Sequence, residues 1–375
     1  MISRLGLVLA SALICGPVIA APPQLKLKLI DKPQIMFKPG DGCDGNDIAD
    51  LPPRIFRDVQ GHLAMFALHF NNRLLRGPSL DAMKIDCKQS YPSRFNREPK
   101  AYESGSWIAG TWTRDGKNID AIIHHEYHAD QYNRCRPGKT GLACWYNTIL
   151  AAKSLDGGVS FQKPEYPVVA AAPFPQDYDQ SRHRGFFNPS NIFGRGNAVY
   201  FFAAETAWTG QPHGVCLFRN TDLSQARNWR AWDGHDFTIR YDDPYKPGLK
   251  VPPPCKPVEP FPAQVGAVVR HRASGTYLAV VQAWKDDKHF PVSGFYYAAS
   301  RDILNWSEPR LLMATKSLYD DACSAGQLNS YPSIVDPTAT GRNFDDTGNE
   351  AWLYWSSMRV DGCSHTGVPS RRWLE

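Results

Sequence analysis

The sequence predicts an all-β protein folded as a five-bladed β-propeller, and two observations support this prediction. One pattern of a β-rich strand, a turn and a second apolar strand returns five times along the chain. No amphipathic helix of useful length interrupts the series, which disfavours an α/β fold.

The five copies of the pattern mark the innermost strands of the predicted blades. They span residues 53–66, 107–123, 189–202, 266–281 and 331–355. Further turns at residues 154–161, 220–229 and 300–306 combine Ser or Thr with Asp and an aromatic residue. Such side chains hydrogen-bond the backbone of a turn, so we expect these segments to be structural.

Residues 1–20 have the composition of a secretory signal peptide. Arg4 lies near the start, an apolar run covers residues 5–14, and Ala20 precedes the expected cleavage point. Removing them leaves 355 of 375 residues, or about 71 for each blade (355/5), which suits four strands with long loops. We therefore expect residues 21–375 to form one propeller domain, its N-terminal segment adding a strand to the last blade, in a secreted or periplasmic protein.

The cysteines predict disulfide bonds rather than a metal site. Cys15 lies in the predicted leader, so eight of the nine cysteines remain, an even number for an exported protein. No C-x-x-C motif or matched His/Cys spacing is found, and we expect no metal and no cofactor. The order along the chain suggests four local pairs, with Cys43–Cys363 as an open alternative: Cys43–Cys87, Cys135–Cys144, Cys216–Cys255 and Cys323–Cys363.

The charge pattern bears on the partners of the protein. A formal net charge of +5 without a run of Lys and Arg does not indicate nucleic-acid binding, although it is compatible with an anionic partner. No stretch after the leader is long enough to span a membrane. We expect a monomer that binds a carbohydrate.

The stretch with the densest chemistry is residues 121–128, which begins as an apolar strand and ends in three His, a Glu and a Tyr. Because strand side chains alternate between faces, His124, Glu126 and His128 share one face, and His125 and Tyr127 share the other. A solvated hairpin tip is the alternative. The density of titratable groups favours a site at a strand end.

A propeller places the starts of its innermost strands around a central channel. The starts here are residues 50–54, 103–107, 187–190, 261–264 and 331–333. The Pro-Ser-x-Ile start at Pro189, the five-fold series and the Ser-Arg-Asp-x-x-x-Trp turn at Ser300 resemble the five-bladed β-propeller glycoside hydrolases, the clan of arabinofuranosidases, xylosidases and invertases. The resemblance implies a carboxylate base or nucleophile at the first blade start, a Glu general acid and an Asp that tunes them. The chain departs from this pattern at Asn188, where an Asp is expected.

Three carboxyl groups are candidates for glycosidic bond cleavage, which needs one protonated and one ionised carboxyl. Asp50 stands at the first blade start and is predicted to be the base or nucleophile. Glu126 and Glu205 end the second strands of blades two and three, where an apolar setting suits a general acid. Alternatively, Asp50 caps a turn, Glu126 pairs with a histidine, and Glu205 is a solvated strand end.

Further side chains are predicted to bind the substrate. Arginines and histidines would make the mouth of the channel cationic, which fits a sugar bearing carboxylate or sulfate, and aromatic rings would stack on sugar faces. These residues are Arg54, His124, His125, His128, Arg184, Asn188, Trp208 and Tyr331. We expect Asp50, Arg54, His125, Glu126, His128, Asn188 and Glu205 to converge on one end of the channel.

Two other functions remain open at the level of the sequence. A polysaccharide lyase would use His and Tyr as base and acid on a uronic acid. A propeller could also bind a glycan or another protein without catalysis.

Overall fold

A computed structural model describes residues 25–374. Residues 39, 140, 179–181, 262–263, 287–288, 319, 321–325 and 362–363 are excepted. For residues 142 and 360–374 only the backbone is described. The predicted leader lies outside the described residues. So do Cys323 and Cys363, and the pairing predicted between them stays a prediction.

The described strands form four β-sheets that divide into five antiparallel units around a common centre, a five-bladed β-propeller. Blades two and three share one 10-stranded sheet, because Arg184 and Gly185 pair in parallel with Tyr146 and Asn147. Blade one consists of β2 (Ala49–Arg57), β3 (Leu63–Leu68), β4 (Arg73–Gly77) and β5 (Lys84–Gln89). Blade two consists of β6 (Gly105–Thr113), β7 (Ile119–His128), β8 (Trp145–Ser154) and β9 (Val168–Ala170). Blade three consists of β10 (Arg184–Phe187), β11 (Phe193–Arg195), β12 (Ala198–Glu205), β13 (Gly214–Asn220), β14 (Arg230–Trp232) and β15 (Phe237–Ile239).

The last two blades have the same antiparallel order. Blade four consists of β16 (Val265–His271), β17 (Tyr277–Ala283), β18 (Gly294–Ser300) and β19 (Arg310–Ala314), with β21 (Asp346–Thr347) parallel to β16. Blade five consists of β20 (Gln327–Val335), β22 (Ala351–Asp361), β23 (Ser364–Leu374) and β1 (Gln34–Ile35). The helical elements of the described residues are short 3₁₀ turns: Leu80–Ala82, Pro99–Ala101, Ala129–Tyr132, Gly141–Cys144 and Ala226–Asn228. None of the described helices is long and apolar enough to cross a membrane.

The N-terminal strand completes the last blade, as the sequence predicted. Gln34 pairs with Arg371 and Ile35 pairs with Ser370, both antiparallel. The first and last segments of the chain therefore share one blade, which closes the ring without a free edge on β23.

Arg54 holds the centre of the ring. Its side chain is 1% exposed, and its guanidinium donates to the carbonyl oxygens of Ala109 (2.5 Å), Gly266 (2.9 Å) and Pro189 (3.0 Å). These carbonyls belong to three other blades. Ser333 of blade five adds a hydrogen bond to the carbonyl of Pro53 at 3.3 Å. One cation thus joins four of the five blades.

Apolar side chains fill the spaces between neighbouring blades. Between blades one and two, for example, Phe56, Phe66, Ile108, Ile123 and Leu150 are buried together. Burial of side chains of this size contributes about 1.5–3 kcal/mol each, so such layers stabilise the stacking of the blades.

The predicted structural turns and the three testable disulfides are present. In the turn at residues 154–161, Ser154 and Asp156 accept backbone hydrogen bonds from Gly158 and Ser160. In the turn at residues 300–306, Ser300 accepts from Ile303, and the Trp306 indole donates to the Ile303 carbonyl. The disulfides are Cys43–Cys87, Cys135–Cys144 and Cys216–Cys255.

Candidate active site

A cavity of about 340 Å³ lies where the innermost strands begin. Its polar lining includes two carboxyl groups, Asp50 and Glu126, and two amides, Asn188 and Gln264. The backbone of Asn188 has φ 47° and that of Tyr331, which also lines the cavity, has φ 62°. Left-handed backbone is rare for a residue as bulky as Tyr and is concentrated at functional sites.

Glu126 is held by two histidines on its own strand, as the two-residue period predicts. Its Oε1 lies 2.9 Å from His124 Nε2, and its Oε2 lies 3.1 Å from His128 Nε2. Burial raises the pKa of Glu126, but the hydrogen bonds and charges of the two histidines outweigh it and hold the pKa well below its usual range. Glu126 is therefore ionised at neutral pH.

His124 links the carboxylate to the start of blade three. The backbone N–H of Asn188 donates to His124 Nδ1 at 3.4 Å, and His124 Nε2 lies 2.9 Å from Glu126 Oε1 and 3.4 Å from the amide nitrogen of Asn147. The start of blade three thereby orients the carboxylate of blade two.

The pKa of Asp50 is displaced in the opposite direction to that of Glu126. Burial and the nearby charge of Glu126 raise its pKa to about 7, while the polar groups of Tyr331 and Trp107 oppose the shift. Its Oδ2 lies 3.3 Å from His69 Nε2, and 17% of its side chain is exposed. The cavity therefore holds one carboxyl group that ionises near neutrality and one that is ionised throughout.

Aromatic rings form the walls of the cavity. They belong to Trp107, Trp145, Phe187, Trp284 and Tyr331. The indole of Trp145 is stacked between His128, at 5.0 Å between ring centroids, and His183, at 4.1 Å. His183 Nε2 in turn bonds the side-chain oxygen of buried Asn147. Two imidazoles thus stack on Trp145, which itself lines the cavity.

His125 lies on the other face of β7 and does not line the cavity. It is fully buried, its Nε2 accepts the backbone N–H of Ser104 at 3.2 Å, and its ring packs on Tyr102. Burial and the neighbouring His124 lower its pKa to about 3, so it is neutral. The expectation that it joins the other histidines is corrected by the alternation of the strand, and Tyr127 on the same face bonds the Arg97 carbonyl.

Neither of the two predicted arginines reaches the cavity lining. Arg54 lies at the centre of the ring with its guanidinium on backbone carbonyls. Arg184 donates to the carbonyl of Thr206 at 3.4 Å. The described residues that line the cavity include no Arg or Lys, so the expected cationic mouth is not found among them.

Glu205 and Trp208 also lie apart from the cavity lining. Glu205 is fully buried, its Oε2 accepts the backbone N–H of Ala207 at 2.7 Å, and burial raises its pKa to about 8. Trp208 packs edge-on against Phe186 at 5.3 Å and against Phe174 at 6.2 Å. The loop after β12 folds these side chains into the protein, whereas the end of β7 opens to the cavity. Of the predicted carboxyl groups, the cavity unites Asp50 and Glu126.

Sequence reasoning missed two residues at or beside the cavity, His69 and Trp145. His69 directly follows β3. It occupies the position that singled out Glu126 and Glu205, the end of an apolar second strand, so this position carried a usable signal. Trp145 did not, because it reaches the cavity from a third strand. Gln264, at a predicted blade start, also lines the cavity, as do Trp284 and His183.

Among the described residues, no group of three or more His, Cys, Asp or Glu is arranged to hold a metal ion. Each carboxylate oxygen of Glu126 is hydrogen-bonded to one neighbouring imidazole, that of His124 or that of His128.

No protein-family model matches the chain, and no curated protein matches it. Solved structures do. A protein of unknown function from Dyadobacter fermentans aligns with a TM-score of 0.50 at 11% identity, over 93% of this chain and 99% of its own. The catalytic domain of a GH62 α-L-arabinofuranosidase from Coprinopsis cinerea gives 0.47 at 10% identity, over 90% and 95%. An α-L-arabinanase from Cellvibrio cellulosa gives 0.48 at 10% identity, over 86% and 91%. At such identities the likeness concerns the fold alone.

Proposed function

We propose that the protein hydrolyses glycosidic bonds of a poly- or oligosaccharide at this cavity. The observation that carries the proposal is the pair of carboxyl groups, Asp50 and Glu126, whose pKa values are displaced in opposite directions within one cavity. An acid–base glycosidase requires two carboxyl groups whose pKa values differ in this way, one protonated and one ionised.

The pKa values favour roles opposite to those expected from the sequence. Asp50, with a pKa of about 7, donates the proton to the glycosidic oxygen as the C–O bond breaks. Glu126 acts as the ionised carboxylate that accepts a proton from the attacking water. His124 and His128 keep Glu126 ionised and fix its orientation through one hydrogen bond to each oxygen.

The lining supports a neutral sugar as the substrate class. Amides such as Asn188 and Gln264 donate and accept hydrogen bonds with hydroxyl groups, and indole and phenol rings pack on the apolar faces of sugars. A uronic acid would need a cation to neutralise its carboxylate, and the described lining residues offer no Arg or Lys. This disfavours the lyase alternative and an anionic glycan.

We also propose that the protein acts outside the cytoplasm, secreted or in the periplasm. Three disulfides support this location, because disulfides persist in oxidising compartments.

Glycan binding without catalysis is the second candidate. It is favoured by one observation: both oxygens of Glu126 already accept hydrogen bonds from histidines. A carboxylate engaged in this way can be a fixed acceptor for sugar hydroxyls instead of a base.

The test is a panel of neutral and acidic polysaccharides, including arabinan, xylan and a polyuronate, assayed for new reducing ends and for ultraviolet-absorbing unsaturated products. Hydrolysis predicts reducing ends without absorbance, and Asp50→Asn and Glu126→Gln should each lower the rate by about 10²-fold or more. Glu165→Gln, at an exposed position, is the matched control. Binding to a glycan without any product would support the second candidate instead.

A further inference from the structure

We propose that an aromatic platform leads out of the cavity and binds the same glycan chain whose glycosidic bond lies in the cavity. The platform consists of the side chains of Trp107, Phe70 and Phe95. The inference rests on the proposed function and deepens it, because it makes the substrate a chain that extends beyond the cavity rather than a disaccharide.

The platform is continuous with the cavity. Trp107 lines the cavity, Phe70 contacts Trp107 edge-on with 6.1 Å between ring centroids, and Phe95 contacts Phe70 edge-on at 5.1 Å. Exposure increases along this series, since Trp107 is 8% exposed, Phe70 is half-buried and Phe95 is 45% exposed. Neither Phe70 nor Phe95 lines the cavity. A glycan that contacts Phe95 must therefore extend past the cavity wall by at least one sugar unit.

The backbone of Phe95 is in a conformation that is rare for a bulky residue. Its φ is 50°, in the left-handed region. Such conformations persist where neighbouring contacts hold them, and they are concentrated at functional sites. The backbone N–H groups of Arg94 and Asn96, on either side of Phe95, both donate to the carbonyl of Glu103 at 3.2 Å. These two hydrogen bonds fix the backbone that places Phe95 against Phe70.

The loop that carries Phe95 is also tied to Phe70 and to blade two. Ser93 Oγ donates to the carbonyl of Phe70 at 3.0 Å and accepts the backbone N–H of Ser106 at 2.9 Å. The side-chain amide of Asn72 donates to the same Phe70 carbonyl at 3.0 Å. The rings are thus positioned before a ligand binds. A surface that is ordered in advance loses less conformational entropy on binding.

The shape of this surface fits a glycan chain better than a protein. Within the loop of residues 92–97, Phe95 is the one large apolar side chain, and Arg94 and Arg97 are exposed. A protein interface of ordinary size covers about 800 Å² on each partner, much more than a few ring faces. A sugar chain is narrow, and its apolar faces pack on aromatic rings.

The kinetic test compares Phe95→Asn with the wild type on a size series of the cleaved glycan, from the shortest cleaved oligosaccharide to the polymer. Asn adopts left-handed backbone more readily than most residues, so the change removes the ring without adding backbone strain. We expect kcat/KM on the longest chains to fall about tenfold and kcat/KM on the shortest substrate to stay unchanged, with Phe95→Trp keeping the wild-type preference for long chains.

Tyr166→Asn is the matched control, because Tyr166 is a 55% exposed aromatic residue that precedes β9, the outermost strand of blade two. It should leave kcat/KM unchanged at every chain length. If Phe95→Asn keeps the wild-type dependence on chain length, or lowers kcat/KM equally at all lengths, the platform is overturned while the proposed function stands.

A second readout does not need turnover. Calorimetry of Asp50→Asn and of Asp50→Asn/Phe95→Asn with the polymers of the panel measures binding alone, and we expect the double variant to bind a polymer about tenfold more weakly. If no glycan is cleaved but binding depends on Phe95, the proposed function fails and the platform stands. Equal binding by the two variants, or no binding of any polymer, would overturn the platform. So would a change in self-association alone, which would make Phe95 a contact between copies of the chain.

Discussion

Asp50 and Arg54 lie four positions apart on one strand, but the structure gives them different tasks. Four residues of a strand span about 13 Å. Asp50 consequently lies at the cavity, while Arg54 lies deep in the ring and bonds carbonyls of three blades. The sequence predicts that both face the centre. The sequence does not reveal how deep in the ring each side chain lies. The carbonyl oxygens that accept hydrogen bonds from Arg54 belong to residues 109, 189 and 266, which are distant along the chain.

Replacing Arg54 by Met should destabilise the protein strongly. The change leaves three buried carbonyls without their donor, and each unsatisfied buried group costs about 1–3 kcal/mol. We expect the free energy of unfolding from urea denaturation to fall by ~3 kcal/mol or more. Arg195→Met, at an exposed position, should change it by less than about 0.5 kcal/mol. Equal effects of the two variants would contradict the central role of Arg54.

Glu205 should make the protein less stable as pH rises. Its pKa is about 8 in the folded protein, above its ordinary value of 4.5, so folding takes up a proton between these pH values. The stabilisation is complete below about pH 4 and is lost as pH rises through 8. Glu205→Gln removes this dependence, so at pH 9 we expect the variant to exceed the wild type in free energy of unfolding by ~5 kcal/mol, since each pKa unit corresponds to about 1.4 kcal/mol. Parallel stability curves from pH 5 to 9 would contradict this.

At the scale of elements, β7 is the part of the site that the sequence predicts best. Its alternation places His124, Glu126 and His128 together and His125 apart. The neighbouring wall was not predictable in the same way. Trp145 begins β8 opposite His128, and this register becomes visible only when the two strands are paired. His69 lay within reach of sequence reasoning, had every second-strand end been weighted equally.

The Cys135–Cys144 disulfide closes the connection between β7 and β8, directly beside the stack of His128 on Trp145. Only 9 positions separate its cysteines, so the loop-entropy contribution is below about 3 kcal/mol, against about 4 kcal/mol for Cys216–Cys255 with a separation of 39. We expect Cys135→Ser/Cys144→Ser to weaken oligosaccharide binding about tenfold in calorimetry with a modest loss of stability.

The matched double variant is Cys216→Ser/Cys255→Ser, which should lose more stability and retain its affinity for the oligosaccharide. If removing Cys135–Cys144 leaves affinity unchanged, the disulfide does not position the wall of the cavity.

At the scale of the whole molecule, the five repeats predict the five blades, because each copy contains the same local pattern of two apolar strands joined by a turn. The closing of the ring is also predictable, since a propeller needs its ends to share a blade, and β1 does pair with β23. The central hydrogen bonds and the inward folding of Glu205 and Trp208 depend on contacts between blades. A repeat pattern within one blade holds no information about them.

The segment before β1 should contribute to this closure. Leu27 and Leu29 are half-buried against the apolar layer of blades four and five, and Lys26 and Lys28 alternate with them on the exposed side. We expect Leu27→Ser/Leu29→Ser to lower the free energy of unfolding by ~2 kcal/mol. Lys26→Ser/Lys28→Ser should be nearly neutral in the same denaturation experiment. A neutral effect of the leucine pair would show that the segment adds nothing to closure.

The most direct test of the account is the pH dependence of kcat/KM on a cleaved neutral glycan. Asp50 must be protonated to act as the acid, and its pKa is about 7. We therefore predict a rate that is level below neutrality and falls tenfold per pH unit above about 7, with this limb absent from the residual activity of Asp50→Asn. A rate that rises through pH 7 would mean that Asp50 acts as the ionised base, and would contradict the assignment of acid and base.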